Sequence, residues 1–343
     1  MKRRDLLGGA AVVAATALAP FRAGAQSSLP IVGYLNNRSP ETATLVRSRA
    51  AFLEGLEQAG FVVGRNVALE YRFAAGRDDR LPMFAAELVR LPVAVLVGIG
   101  TPAAVAATKA TATIPIVFAS AFDPVQLGLV ASLSRPAGNA TEVSLFGVQM
   151  GPKRLEMLRE LLPRPRLIAV LFGPTASPST QQQQIREIEA AAQAIGQPML
   201  ILWGRDDGEV DTAFATMAER QVSGLVYGAS EYFQVIADKL VALAVRYRIP
   251  AVYEWREFVD AGGLVSYSPS RRESDRLVAN YVARILKGAA PADLPVMQSS
   301  RFELVINLED RPGTGSDGSA VAARPRRRGH RMTGIPPGRS GPG

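Results

Sequence analysis

Apolar residues recur along the chain in two alternating rhythms. Short continuous runs, such as Val93–Ile99 and 116–119, have the length and β-branched character of strands covered on both faces. Between them lie longer stretches whose apolar residues fall on one helical face, as Leu45, Phe52, Leu53 and Leu56 do. Taken in order, the pattern predicts a strand at 31–35, a helix opened by Ser39-Pro40 and stopped by Gly60, a strand at 67–73, a helix at 81–91, the strand at 93–99, a helix at 103–110, the strand at 116–119 and a helix from Pro124 to Leu133. After Asn139 the alternation restarts. It predicts helices at 155–162, 181–195, 210–218, 233–247 and 271–287, and strands at 167–172, 198–202, 224–227, 250–253, 263–267 and 302–308. Two βα series in succession predict an α/β protein of two doubly wound, parallel-sheet lobes.

Composition narrows the chemistry. The chain has 343 residues, no cysteine and one histidine, His330, near its end. Disulfides, thiolate nucleophiles and cysteine-based metal sites are excluded, and the body of the chain has no histidine to serve a Ser-His pair. No catalytic residue, metal site or cofactor is expected. The net charge of +8 is an end effect: residues 1–25 carry +3 and residues 309–343 carry +4, which leaves +1 for the body. The basic balance therefore does not point to nucleic acid.

The stretch 114–139, IPIVFASAFDPVQLGLVASLSRPAGN, runs strand, polar turn, apolar segment. Ligands of open α/β sheets bind at the carboxyl ends of strands, in turns of this kind. Asp123, directly before Pro124, is either a helix N-cap or a carboxylate at the rim of a cleft. The Gly100-Thr101-Pro102 turn places backbone N–H groups and a hydroxyl at a helix start, suited to a carboxylate or phosphate, or is simply a tight turn. It is neither a Walker loop nor a dinucleotide fingerprint. Aromatic residues gather at the later strand ends: Tyr227, Tyr232, Tyr253, Trp255 and Tyr267. Such rings either stack on a flat ligand or pack the rim. Glu254 and Glu257, with Arg256 between them, read as a salt-bridged surface rather than an acid–base pair.

Residues 1–25 combine Lys2, Arg3 and Arg4, an apolar run and Ala23-Gly24-Ala25, the signature of a secretory signal peptide; Arg3-Arg4 also resembles a twin-arginine signal. The remainder is expected outside the cytoplasm, in the periplasm.

Several phrases then carry a resemblance: IVGYLNN, AFLEGLEQAGFVVGRNVALEYRFAAG, GTPAAVAATKAT, IPIVFASAFDPVQLGLVASLSRPAGN, PAVYEWREFVDAGGLVSYSPS and FELVINL. In this order and spacing, over roughly residues 31 to 308, the chain resembles the substrate-binding proteins of ABC importers whose characterised members bind aromatic amino acids. The resemblance implies a type I periplasmic-binding fold, two lobes joined by crossing strands with the ligand clamped between them. The implied N-terminal lobe is 30–144 plus part of 268–292; the implied C-terminal lobe is 145–267 plus about 300–308. The implied ligand positions are Asn36, Asn37, Thr101, Ser120, Ala121 and Asp123 from the first lobe. Thr175, Tyr227, Glu231, Tyr253 and Trp255 come from the second. Relatives often have glycine where Phe122 stands and asparagine where Gly173 stands. The implied partners are a small solute, an amino acid by the family's habit, and an inner-membrane ABC permease; a monomer is expected. A sensor domain, or a hydrolase on an α/β sheet, is the competing reading. The missing histidine and the absence of a Gly-x-Ser-x-Gly elbow oppose the hydrolase; the secretory signal opposes a DNA-binding regulator.

After Leu308 the composition turns to Gly, Pro and Arg without a periodic apolar face. Relatives continue there as a helix beginning Lys-Thr-Ala and end near Ala-Asp-Glu-Val-Ile-Glu. Back-translating 309–332 with G+C-rich codons and dropping the first nucleotide yields KTARALGLTVPPSLLARADEVIE, followed by TG, a stop if A comes next. This reading assigns the tail to a one-nucleotide insertion near the Leu308 codon. It expects an apolar patch where the lost helix would sit.

Overall fold

A computed structural model of the chain describes residues 29–145, 150–175 and 178–308. The segments read as a signal peptide and as an out-of-frame tail lie outside the described residues. Two six-stranded sheets divide the structure. The first contains β1 (Ile31–Asn36), β2 (Ala68–Phe73), β3 (Val93–Ile99), β4 (Ile116–Ser120), β5 (Ala140–Ser144) and β11 (Met297–Gln298). All are parallel, in the order β11-β5-β4-β3-β1-β2. The second contains β6 (Ile168–Phe172), β7 (Met199–Trp203), β8 (Gly224–Tyr227), β9 (Ala251–Tyr253), β10 (Val265–Pro269) and β12 (Phe302–Ile306), in the order β12-β10-β9-β8-β6-β7. Only β12 runs antiparallel, against β10.

The central strands β3, β4 and β6 are buried along almost their whole length, which is why they read as unbroken apolar runs. Helices cover both faces of each sheet. Around the first sheet lie α1 (Ala43–Gln58), α2 (Leu81–Arg90), α3 (Thr101–Ala110) and α10 (Arg271–Leu286). Around the second lie α4 (Gly151–Leu161), α5 (Pro178–Ala194), α6 (Asp207–Glu219), α7 (Glu231–Val235), α8 (Ala237–Arg246) and α9 (Arg256–Asp260). Leu45, Phe52 and Leu56 of α1 are buried, and Phe52 meets the ring of Tyr34 edge-on at 5.3 Å between centroids. Each such buried side chain contributes roughly 1.5–3 kcal/mol from water exclusion.

The chain passes between the sheets three times: from β5 to α4, from β10 to α10, and from β11 to β12. Helix α10 follows a strand of the second sheet yet packs on α1, β3, β4 and β5 of the first.

Several elements differ from the sequence reading. No helix follows Pro124. Asp123 caps one turn, and Gly128 at φ 69° then ends it. The Leu129 N–H reaches the Pro124 carbonyl and the Gly128 N–H reaches that of Val125, which closes the turn as a Schellman motif. Helix α1 starts at Ala43 with Thr42 as N-cap, not at Ser39-Pro40. The helix at 233–247 is two, α7 and α8, separated at Ile236. Strands β5 and β11 and the short helix α9 have no counterpart in the apolar pattern.

Candidate functional site

The carboxyl ends of β1, β3 and β4 face α7, Trp255 and the start of α10 across an interlobe cleft. Strand β1 ends at Asn36, whose Oδ1 accepts the Arg38 N–H at 2.9 Å and so shapes the turn that presents Asn37 and Arg38. Strand β3 gives way after Ile99 to Gly100, with φ at 91°. A side chain there would be strained, and its Cβ would lie 3.2 Å from Asn37 Oδ1. This glycine lets the first turn of α3 sit against the cleft floor. Its N–H groups have no partners within the helix, and no side chain caps them.

Two cavities occupy the cleft. The inner one, about 10 Å³, has room for about one water. Asn36, Asn37, Gly100, Ala121 and, from the start of α10, Arg271 line it from the first lobe; Glu231, Gln234 and Trp255 close it from the other side. The outer one, about 190 Å³, opens beside it between Arg38, Thr44, Glu231, Trp255 and Glu257.

Ionic contacts cross the cleft here. Arg38 lies 3.9 Å from Glu231 and donates to the Gln234 amide oxygen. Thr44 donates to Glu257 at 2.9 Å, and Arg47 stands 3.7 Å from Glu257 and 3.4 Å from Asp260. Arg271, at the start of α10, reaches Gln234 and Glu257 and lays its guanidinium 3.9 Å from the centre of the Trp255 ring. Burial pulls the Arg38 guanidinium below its ordinary value, and the nearby Arg271 charge adds to this. Burial pushes the Glu257 carboxyl up, but Arg271, its own backbone N–H, Arg38 and Thr44 together hold it below its ordinary value.

The structure divides the sequence-derived candidates. Asn36, Asn37, Ala121, Glu231 and Trp255 line the cavities. Thr101 sits just beyond Gly100, fully buried, and its Oγ1 has no hydrogen-bond partner among the described residues. Ser120 is committed inward. Its hydroxyl donates to Glu142 Oε1 and also stands 2.9 Å from the Phe122 carbonyl oxygen, while burial raises the Glu142 carboxyl well above its ordinary value. Asp123 Oδ1 accepts the Val125 N–H at 2.8 Å, and Asp123 lines neither cavity. Tyr227 and Tyr253 are buried in the second lobe, stacked at 5.2 Å and joined by Phe258. Thr175 Oγ1 faces Gln181 at 3.4 Å.

Arg38, Gln234 and Arg271 escaped the sequence reading. The polar turn after β1 that drew attention to its asparagines contains Arg38, and that signal was available. Glu254 is a correction. It was read as surface, yet it is 2% exposed, with Oε1 unpartnered among the described residues. Burial lifts its carboxyl to about 7 against the pull of the equally buried Arg154. Phe122 packs with Ala121 and with Ala229 of the opposite lobe, so an apolar contact also spans the cleft.

Two α/β lobes, three crossings and a polar cleft lined from both sides define a ligand-clamping binding protein. Residues 41–311 match the model of the family described as ABC transporter substrate binding protein, and the chain belongs to that family. A tyrosine-binding protein from Clostridioides difficile (strain R20291) is 24% identical over 268 residues, 78% of this chain and 76% of that protein. Among solved structures, a conserved domain protein from Vibrio cholerae superposes with a TM-score of 0.74 at 26% identity, covering 82% of this chain and 93% of that one. An ABC domain from Streptococcus pneumonia in complex with L-Trp gives a TM-score of 0.73 at 24% identity over the same shares. The protein is an extracytoplasmic solute-binding component of an ABC importer. It clamps a small solute between its lobes for delivery to its permease, and it is not an enzyme.

Proposed function

We propose that the solute is an amino acid with a flat or apolar side chain. One observation carries this reading: Arg38 and Glu231, of opposite charge and from opposite lobes, flank the same cavities as the Trp255 ring. An α-ammonium group is placed at Glu231. The α-carboxylate is placed among the Arg38 guanidinium, the first-turn N–H groups of α3 and the Thr101 hydroxyl. The side chain lies against Trp255. Asn36, Asn37 and Ala121 complete the wall. Ser120, Asp123, Thr175, Tyr227 and Tyr253 lie outside the lining of the two cavities. Ligand that touches both lobes only when they are closed shifts the population towards closure, to the extent that it replaces the Arg38–Glu231 contact with better ones. The ligands of two relatives, tyrosine and L-Trp, belong to this class.

A thermal-shift and calorimetry panel tests it. Tyrosine, tryptophan and phenylalanine should raise the melting temperature, with about 2.7 kcal/mol of stabilisation at a hundred times Kd. Their deaminated and decarboxylated analogues should not. Equal binding of the deaminated acids would sink the zwitterion reading.

Export through residues 1–25 and a monomeric state belong to the same proposal. Replacing Arg3 and Arg4 by lysine should stop export only if the twin-arginine route is used. The proposed lobes are 30–144 with α10, and 145–267 with the final strand.

A further inference from the structure

We propose that the outward face of β12 is the seat of an amphipathic helix encoded by the DNA of residues 309–332, read one nucleotide out of the present frame. Phe302, Leu304, Ile306 and Leu308 are 43%, 53%, 46% and 66% exposed. They are alternate residues, so they stand on one face. Glu303 turns the other way and accepts from Ser270 at 2.7 Å. Strand β12 is also an edge of its sheet, paired only with β10. A row of large apolar side chains on an edge strand is an interaction surface or an aggregation hazard, and stable folds cover it.

The chain that follows is the nearest source of a cover. In the present frame it reads EDRPGTGSDGSAVAARPRRRGHRM, with no apolar stripe to lay on the strand. The match to the family model ends at 311, three residues after Leu308. Omitting the first nucleotide of the Glu309 codon makes the same DNA compatible with KTARALGLTVPPSLLARADEVIE. That string has a Thr cap, a short apolar helix and a Gly stop. A Pro-Pro break and a Ser cap follow, then apolar residues at i, i+1, i+4, i+7 and i+8, the spacing of one helical face.

One element does not depend on codon choice. Methionine has the single codon ATG, and every threonine codon begins with A. Across Met332-Thr333 the shifted frame must therefore read TGA, a stop, directly after the second helix. The uncovered face and the end of the family match meet at one end of one strand, and the enforced stop closes the shifted frame beyond them.

Sequencing the source DNA across the Leu308 codon should reveal one nucleotide fewer than the present frame requires. The present chain and a frame-restored chain are then expressed side by side. The restored chain should melt several degrees higher and bind a hydrophobic dye less. Leu304→Asp with Ile306→Asp should lower the melting temperature of the restored chain and leave the present chain unchanged. DNA that agrees with the present frame overturns the proposal. So does a restored chain with unaltered melting and dye binding, or a present chain whose β12 face is buried by dimerisation.

Discussion

Arg38 and Glu231 meet across the interlobe cleft at 3.9 Å, one from the turn after the first strand, the other opening α7. Neither is fully exposed, so each has lost part of its hydration, and the contact offsets that loss. A zwitterionic ligand must come between or beside them. Arg38→Ala and Glu231→Gln should each weaken binding roughly tenfold to a hundredfold, the scale of one charged hydrogen bond. Isothermal calorimetry reads this directly, and unchanged affinity in both variants would remove them from the site.

Thr101→Val offers a cleaner separation of binding from folding. The Thr101 hydroxyl is buried and unpartnered among the described residues, so replacing it with a methyl should leave the melting temperature level or raise it. Ligand affinity should fall by about tenfold. A variant that loses stability instead would show that the hydroxyl serves the fold.

Asp123→Ala should do the reverse. Its carboxylate caps the turn at 124–127, and losing such a cap costs about 0.5–2 kcal/mol. Denaturant melts should show that loss while calorimetry shows retained affinity. Weakened binding without destabilisation would return Asp123 to the ligand.

Trp255 is one of two tryptophans, and the other, Trp203, is partly exposed on β7. Ligand should change the emission of the wild type and of Trp203→Phe. Trp255→Phe should abolish the change. A signal that survives in Trp255→Phe would place the ring outside the site.

Two buried carboxyls predict how stability follows pH. Burial raises Glu254 from 4.5 to about 7, and raises Asp275 from 3.8 to about 6 against the Ser48 hydroxyl that donates to it. Both bind protons more tightly in the folded state than in the unfolded one. Their contribution is therefore fully present below pH 4 and is lost as pH rises to about 7. Glu254→Gln should remove part of that decline, at most about 3 kcal/mol. Melting curves from pH 4 to 8 with the same slope in both proteins would refute the assignment.

The apolar rhythm made most strands and helices legible, because β3, β4 and β6 are buried on both faces and say so in every residue. Strand β5 was illegible because it reads ATEVS. Its Glu142 is wholly buried and held by Ser120, a partner on another strand that no local pattern announces. The aromatics at strand ends were visible as a group but not in direction. Tyr227 and Tyr253 turn into the core, while Trp255, two residues past the end of its strand, reaches the cleft. Which way a terminal side chain points depends on the neighbouring strand and helix, and these come from distant parts of the chain. Arg271 shows the same limit. It opens a helix of the first lobe, yet it stacks on a ring of the second.

The first sheet gains its last strand, β11, only at Met297–Gln298, and the second gains β12 after that. A ribosome emitting this chain from its N-terminus has therefore synthesised nearly all of it before either half can close. Fragments that stop short of β11 leave an open edge at β5, and those that stop short of α10 also lack the helix that lies over β3, β4 and β5. Partial products stay loose and accessible to chaperones. The order of its strands thus sets how late in synthesis each sheet can be completed.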